Sequence, residues 1–209
     1  MVPTEEWFFP RVGNRIRNRT VLAALTNKQS NDDGTLSDEE INFLLRRGQG
    51  GFGIVTTAAS HVMENGQGWP GEMGVWGDHQ IPGLTKLAKG LRNQGALSLV
   101  QIFHGGMRAP ADLIGTTPIS ASYNDEKNGN DPAREMTEDE IQNAIDAFAS
   151  AAERCEKAGI DGVEIHGAHG YLIAQFLGTV TNRRTDSWGG DLSGRSRFLM
   201  RIIEELKKR

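Results

Sequence analysis

What the 209-residue sequence has little of narrows it first. It holds a single cysteine, Cys155, so no internal disulfide can form and a reducing, cytoplasmic setting is expected. No apolar run approaches the ~18 residues that a membrane-spanning helix needs. Residues 1–10 carry two glutamates and too short an apolar stretch for a secretory leader. Like charges never form a block of five and the net charge is only −4, so neither nucleic acid nor a membrane is an expected partner. The phosphate-loop pattern G-x-x-x-x-G-K-[ST] and the metal-binding HExxH are both absent.

What is present suffices for one domain with a sizeable core, at 37% hydrophobic and 24% charged residues. Residues 19–26 (RTVLAALT) read as a first buried strand. Ser37 and Glu40 have the spacing of a capping box and open a helix that stops at Gly48. Residues 50–57 form the second strand, and the Gly- and Trp-containing run 66–76 is expected to be a long surface connection. A second helix spans 78–94, with Gly95 at a left-handed cap position. The third strand is 96–102, and the polar excursion 108–134 reads as a surface loop or lid. Thr137 and Glu140 make another capping box, and the helix to Lys157 repeats apolar residues at helical spacing. The fourth strand is 162–165, and a last helix starts near Ser193. Four strand–helix units in series predict an α/β fold with parallel strands and helical crossovers. An open sheet and part of a barrel both satisfy that pattern.

The chemistry gathers where the fourth strand ends, at His166-Gly167-Ala168-His169-Gly170-Tyr171. Parallel α/β folds bind ligands at the carboxyl ends of their strands. Two imidazoles and a phenol so placed admit three readings: hydrogen-bonded structural groups, metal ligands, or donors to a substrate oxygen with Tyr171 as acid. No carboxylate or cysteine follows closely to complete a metal site. Gln101, inside the apolar third strand, needs partners for its amide, either backbone or a bound ring.

The string IHGAHGYL, the following QFL and an N-x-R-x-D-x-aromatic-G-G run (Asn182, Arg184, Asp186, Trp188, Gly189, Gly190) resemble the old yellow enzyme family of FMN-dependent ene-reductases, in its two-histidine subgroup. The resemblance extends over almost the whole chain. It implies a TIM-barrel, (βα)8 architecture, FMN as cofactor, NADH or NADPH as hydride donor, and a small α,β-unsaturated substrate. It places Ala24, Leu25 and Thr26 at the flavin, Ala58 as a small residue under the ring, and Gln101 on the pyrimidine edge. His166 and His169 correspond to the pair that holds the substrate oxygen, and Tyr171 to the proton donor. Departures from the family pattern stand at Gly178-Thr179, Trp188 and Gly194, and they bear on loop packing. Four units are half of a barrel that typically takes ~250 residues. A half-barrel, the N-terminal half, leaves two open strand edges, so a homodimer or a complementary C-terminal half is expected as partner. The alternative is a non-catalytic half-barrel that binds flavin weakly or serves in assembly.

Overall fold

The computed structural model describes residues 2–125 and 131–209. A short antiparallel hairpin, β1 (Trp7–Phe9) against β2 (Asn14–Ile16), precedes the first sheet strand. Next come β3 (Val21–Leu22), α1 (Asp38–Gln49), β4 (Ile54–His61), α2 (Ile81–Asn93) and β5 (Leu97–Phe103). The excursion holds α3 (Ala111–Ile114), β6 (Ile119–Ser120) and β7 (Arg134–Glu135). The chain then runs through α4 (Glu138–Lys157), β8 (Gly162–Ile165), α5 (Leu172–Leu177) and α6 (Leu192–Lys208).

Strands β3, β4, β5 and β8 form one sheet in that order, all parallel. Period-two alternation sorts its faces. On β5, Ser98, Val100 and Ile102 are buried, whereas Leu97, Leu99 and Gln101 are only half-buried. Val163 and Ile165 of β8 likewise join the helix-covered core, while Glu164 is exposed on the other face beside Gln101. Helices α1, α2 and α4 cover the first face, α6 packs on α4 and α5, and Phe148, Phe176 and Phe198 lock α4, α5 and α6 together with ring centroids 4.5 and 6.4 Å apart. Burying each such side chain contributes about 1.5–3 kcal/mol.

A β-bulge sets which side chains reach the uncovered face. Thr56 pairs with Leu99 and Ala59 with Gln101, so Thr57 and Ala58 together oppose Val100. The extra residue turns Ala59, not Ala58, toward Gln101. The two capping sequences behave differently. At α4, Thr137 accepts from the Glu140 amide and Glu140 reaches back to the Thr137 amide, a complete box. At α1, Ser37 accepts from the Glu40 amide, but the buried Glu40 carboxylate turns away to Asn27 Nδ2 (2.9 Å) and to the Ser30 hydroxyl. It thereby ties down the loop that follows Thr26.

Several expectations change. Only Val21 and Leu22 of the 19–26 run pair in the sheet, with the Thr20 carbonyl accepting from the Gly53 and Ile54 amides just ahead of them. The second helix begins with a single tight turn at Asp78–Gln80 before Ile81. Residues 66–76 are not a surface connection: Glu72, Met73 and Val75 are buried, and Met73 and Val75 exchange backbone hydrogen bonds with His61 at 3.1 and 2.9 Å. The glycines there serve close approach; a Cβ on Gly66 would stand 2.7 Å from the His104 ring and one on Gly71 2.7 Å from the Lys28 carbonyl oxygen. The excursion 108–134 is part of the core at Ala109, Ile119, Ala121 and Ala133, while its residues 126–130 lie outside the described residues. The N-x-R-x-D-x-W-G-G run is scaffold. Arg184 donates to the carbonyls of Ala121 and Met136 and to Asp186, and Asn182 bridges the carbonyls of Phe176 and Trp188. Gly194 departs from the family pattern where a Cβ would meet the Gly189 carbonyl oxygen at 1.9 Å. No described helix is long and apolar enough to cross a membrane.

His104 closes the third strand fully buried, accepting from the Gly106 amide through Nδ1 (3.0 Å) and meeting Asn65 Oδ1 through Nε2 (3.2 Å). Burial, followed by the neighbouring His61, pushes it down to about 3. A histidine whose folded value lies below its unfolded value contributes stability that is full above pH 6.5 and falls as the unfolded chain takes up the proton. As pH falls from 6.5 to 5, His61, held down to about 4, and His166, lowered mainly by burial, add to this loss, while Glu72, pushed up by burial, acts in the opposite sense. Stability should therefore drop by about 1.4 kcal/mol per pH unit through His104 in that window. Urea midpoints against pH should show the drop, and His104→Asn should flatten it; an unchanged slope would rule this account out.

Candidate active site

A cavity of about 270 Å³ opens at the carboxyl ends of the strands. One wall is Ala23, Ala24 and Thr26 beyond β3, with Ala59 at the bulge and Gln101 on β5. The other is Glu164, His166, His169 and Tyr171, with Trp69 from the buried run 66–76. Of the residues singled out by sequence, Ala24, Thr26, Gln101, His166, His169 and Tyr171 thus meet at one pocket. Leu25 is exposed and Ala58 is buried, and neither lines it. Leu25 turns to solvent in the irregular stretch that follows β3, and the bulge carries Ala58 off the pocket side.

The histidine pair is hydrogen-bonded in a defined order. His166 Nδ1 accepts from the Ala168 amide at 3.2 Å, which leaves the proton on Nε2. That nitrogen stands 3.2 Å from His169 Nδ1, so it donates there and places the His169 proton on its own Nε2. Each ring therefore carries an N–H on Nε2. Burial, then the neighbouring His169, lowers the His166 pKa, so it is a neutral donor near pH 7. The rings of His166 and His169 lie 4.9 Å apart, and that of Tyr171 is 5.0 Å from His166. Burial, then Glu72, raises the Tyr171 pKa, against a smaller lowering by Arg108. The phenol consequently holds its proton well into the alkaline range.

Unusual backbone shapes this edge. His169 has φ 56° and Gly170 φ 70°, consecutive left-handed residues, and left-handed strain of this kind persists only where the surroundings enforce it. Two side chains do so. Arg108 Nη1 donates to the His169 carbonyl at 2.8 Å and lies so close to Gly170 that a Cβ there would stand 3.2 Å from Cζ. Gln175, fully buried on α5, uses its whole amide: Oε1 accepts from the Met107 amide (3.1 Å) and the Ser120 hydroxyl (2.9 Å), while Nε2 donates to the carbonyls of Gly105 (3.2 Å) and Gly170 (2.7 Å).

Sequence reasoning passed over Trp69, Ala59, Arg108 and Gln175. Gln175 had a visible signal, an amide between apolar residues in LIAQFL; the others depend on the bulge and on chain crossings. Replacing Gln175 with Leu would leave the buried Met107 amide and the Gly170 carbonyl without their partner, while the Gly105 carbonyl keeps the Arg108 amide, costing about 2 kcal/mol or more. Urea denaturation should show that loss, and a change below about 1 kcal/mol would refute the role given to this amide.

The model of the NADH:flavin oxidoreductase / NADH oxidase family matches residues 11–209. A probable NADH-dependent flavin oxidoreductase of Bacillus subtilis is 42% identical over 206 residues, covering 99% of this chain and 55% of that protein. The solved structure of 2-naphthoyl-CoA reductase with 2-naphthoyl-CoA superposes with a TM-score of 0.94 at 34% identity, covering 99% of this chain and 33% of that one. An old yellow enzyme homologue from Zymomonas mobilis gives a TM-score of 0.90 at 28% identity, over 99% of this chain and 59% of that one. The chain spans about half the length of the Bacillus relative. With a matching family model over residues 11–209 and these structural neighbours, the chain belongs to the NADH:flavin oxidoreductase family, the old yellow enzymes.

Proposed function

We propose that this chain carries the substrate and flavin contacts of an FMN-dependent oxidoreductase that reduces activated alkenes, enones or nitroalkenes, at the expense of NADH or NADPH. The observation that carries the reading is the two-walled pocket: Thr26 and Gln101 on one side, His166, His169 and Tyr171 on the other. The pocket suits a flavin by its donor set. Ala23, Ala24 and Ala59 leave room for a flat ring against the strand ends, and the Gln101 amide and Thr26 hydroxyl match a ring edge of carbonyls and N–H groups. FMN, when bound, supplies the hydride carrier between the nicotinamide and the alkene.

The side chains do the rest. The Nε2–H groups of His166 and His169 are the donors for a carbonyl or nitro oxygen, once the contact between the two rings yields to the substrate. Drawing electron density onto that oxygen makes the β-carbon electrophilic. Preplaced donors of this kind are worth about 10²–10³ in rate each. Tyr171, kept protonated by its surroundings, delivers the proton to the α-carbon. The uncovered sheet face and the free edges of β3 and β8 favour closure of the barrel by a complementary C-terminal half or by a second copy.

Tyr171→Phe should slow alkene reduction roughly 10²-fold while sparing reduction of the flavin by NAD(P)H, as stopped-flow measurement of the two half-reactions would show. Equal loss in both would discredit the proton-donor role. A purified protein that stays colourless after incubation with FMN, alone and with a supplied C-terminal half, would favour a purely assembling role instead.

A further inference from the structure

The run 66–76 crosses the back of the pocket, and its side chains are not random loop filler. Trp69 stacks on Phe103 with ring centroids 5.6 Å apart and planes at 26°, and Phe103 meets Tyr171 edge-on at 4.9 Å. The indole lines the pocket itself. Three residues on, the Glu72 carboxyl is buried with no exposed side-chain surface, its Oε1 2.8 Å from His61 Nδ1. Its Oε2 accepts from the Gly68 amide at 2.9 Å, and the Trp69 amide bonds to the same carboxyl. A Cβ on Gly68 would stand 3.1 Å from that oxygen and 3.5 Å from Phe103 Cζ, so the backbone here has little slack.

We propose that Glu72 is a positioning residue for substrate selection: anchored on His61, its carboxyl clamps the Gly68–Trp69 backbone and seats the Trp69 indole as the wall that limits substrate bulk. The inference rests on the ene-reductase reading above and assigns the wall of that same site. Burial raises the Glu72 pKa and lowers that of His61 to about 4. A glutamine at this position can keep both contacts without a titratable group, its Nε2 donating to Nδ1 of a neutral His61 and its Oε1 accepting from the Gly68 amide. That equivalence separates positioning from charge.

The test pairs amide exchange with kinetics. In Glu72→Ala, hydrogen exchange at the Gly68 and Trp69 amides should quicken roughly ten-fold, while Glu72→Gln keeps the protection. With the flavin-loaded protein, the ratio of KM for 4-phenylbut-3-en-2-one to that for cyclohex-2-enone should fall roughly ten-fold in Glu72→Ala and in Trp69→Ala, and stay near the parent value in Glu72→Gln. The double variant Glu72→Ala/Trp69→Ala should fall no further, because both changes remove one wall. Should Glu72→Ala fail to fold, Gly68→Ala perturbs the same contact and should move the ratio in the same direction. Unchanged exchange in Glu72→Ala, or equal loosening in Glu72→Gln, overturns the clamp. Faster exchange with an unchanged KM ratio overturns the selecting role. A protein that binds FMN yet reduces neither enone overturns the ene-reductase reading and the selecting role together, while the exchange result still decides the clamp.

Discussion

The amide of Gln175 is the joint on which the site is hung. Two donors and two acceptors are all that a carboxamide offers, and here each is taken, by groups on the exit of β5, on β6 and on the turn before α5. The bond to Gly170 holds the turn that carries His169 and Tyr171, and the bond to Gly105 holds it against the end of the neighbouring strand. Inside a dry core such a network is all or nothing, since an unpaired buried amide costs far more than a made one returns. The left-handed pair His169–Gly170 is therefore sustained by packing and hydrogen bonding from α5 and Arg108, not by local preference.

The two walls reach the pocket by different routes. The histidine and tyrosine wall follows directly from one strand and the turn after it. The opposite wall is assembled from separate devices: the bulge that brings Ala59 beside Gln101, and the diverted Glu40 carboxylate that fastens the loop after Thr26. A helix-capping residue is thus used partly as a brace for the site, and the Ser37–Glu40 box stays half-made in consequence. Within the histidine and tyrosine wall, Trp69 stacks on Phe103, which meets Tyr171 edge-on. This places a low-polarity surface next to the phenol, in line with the Tyr171 pKa raised mainly by burial.

Much was legible in the order of residues. Four strands, the long helices and the convergence of His166, His169 and Tyr171 follow from periodicity, capping signals and the glycines around the histidines, all of which act over a few neighbouring residues. Thr26 and Gln101 were placed by family resemblance, and both do line the pocket with the histidines. The family's N-x-R-x-D-x-aromatic-G-G signature proved to be internal bracing, since Arg184 and Asn182 spend their donors on backbone carbonyls.

The sequence by itself determined the parallel strand–helix alternation and the polar cluster at the exit of the fourth strand, because hydrophobic period and turn chemistry are properties of adjacent residues. Only the tertiary structure decided that Ala59 faces the pocket in place of Ala58, that residues 72–75 of the 66–76 run are buried, and that Glu72 sits against His61. Each of those outcomes depends on register between strands or on backbones crossing at van der Waals distance, and such contacts join residues that no local pattern relates.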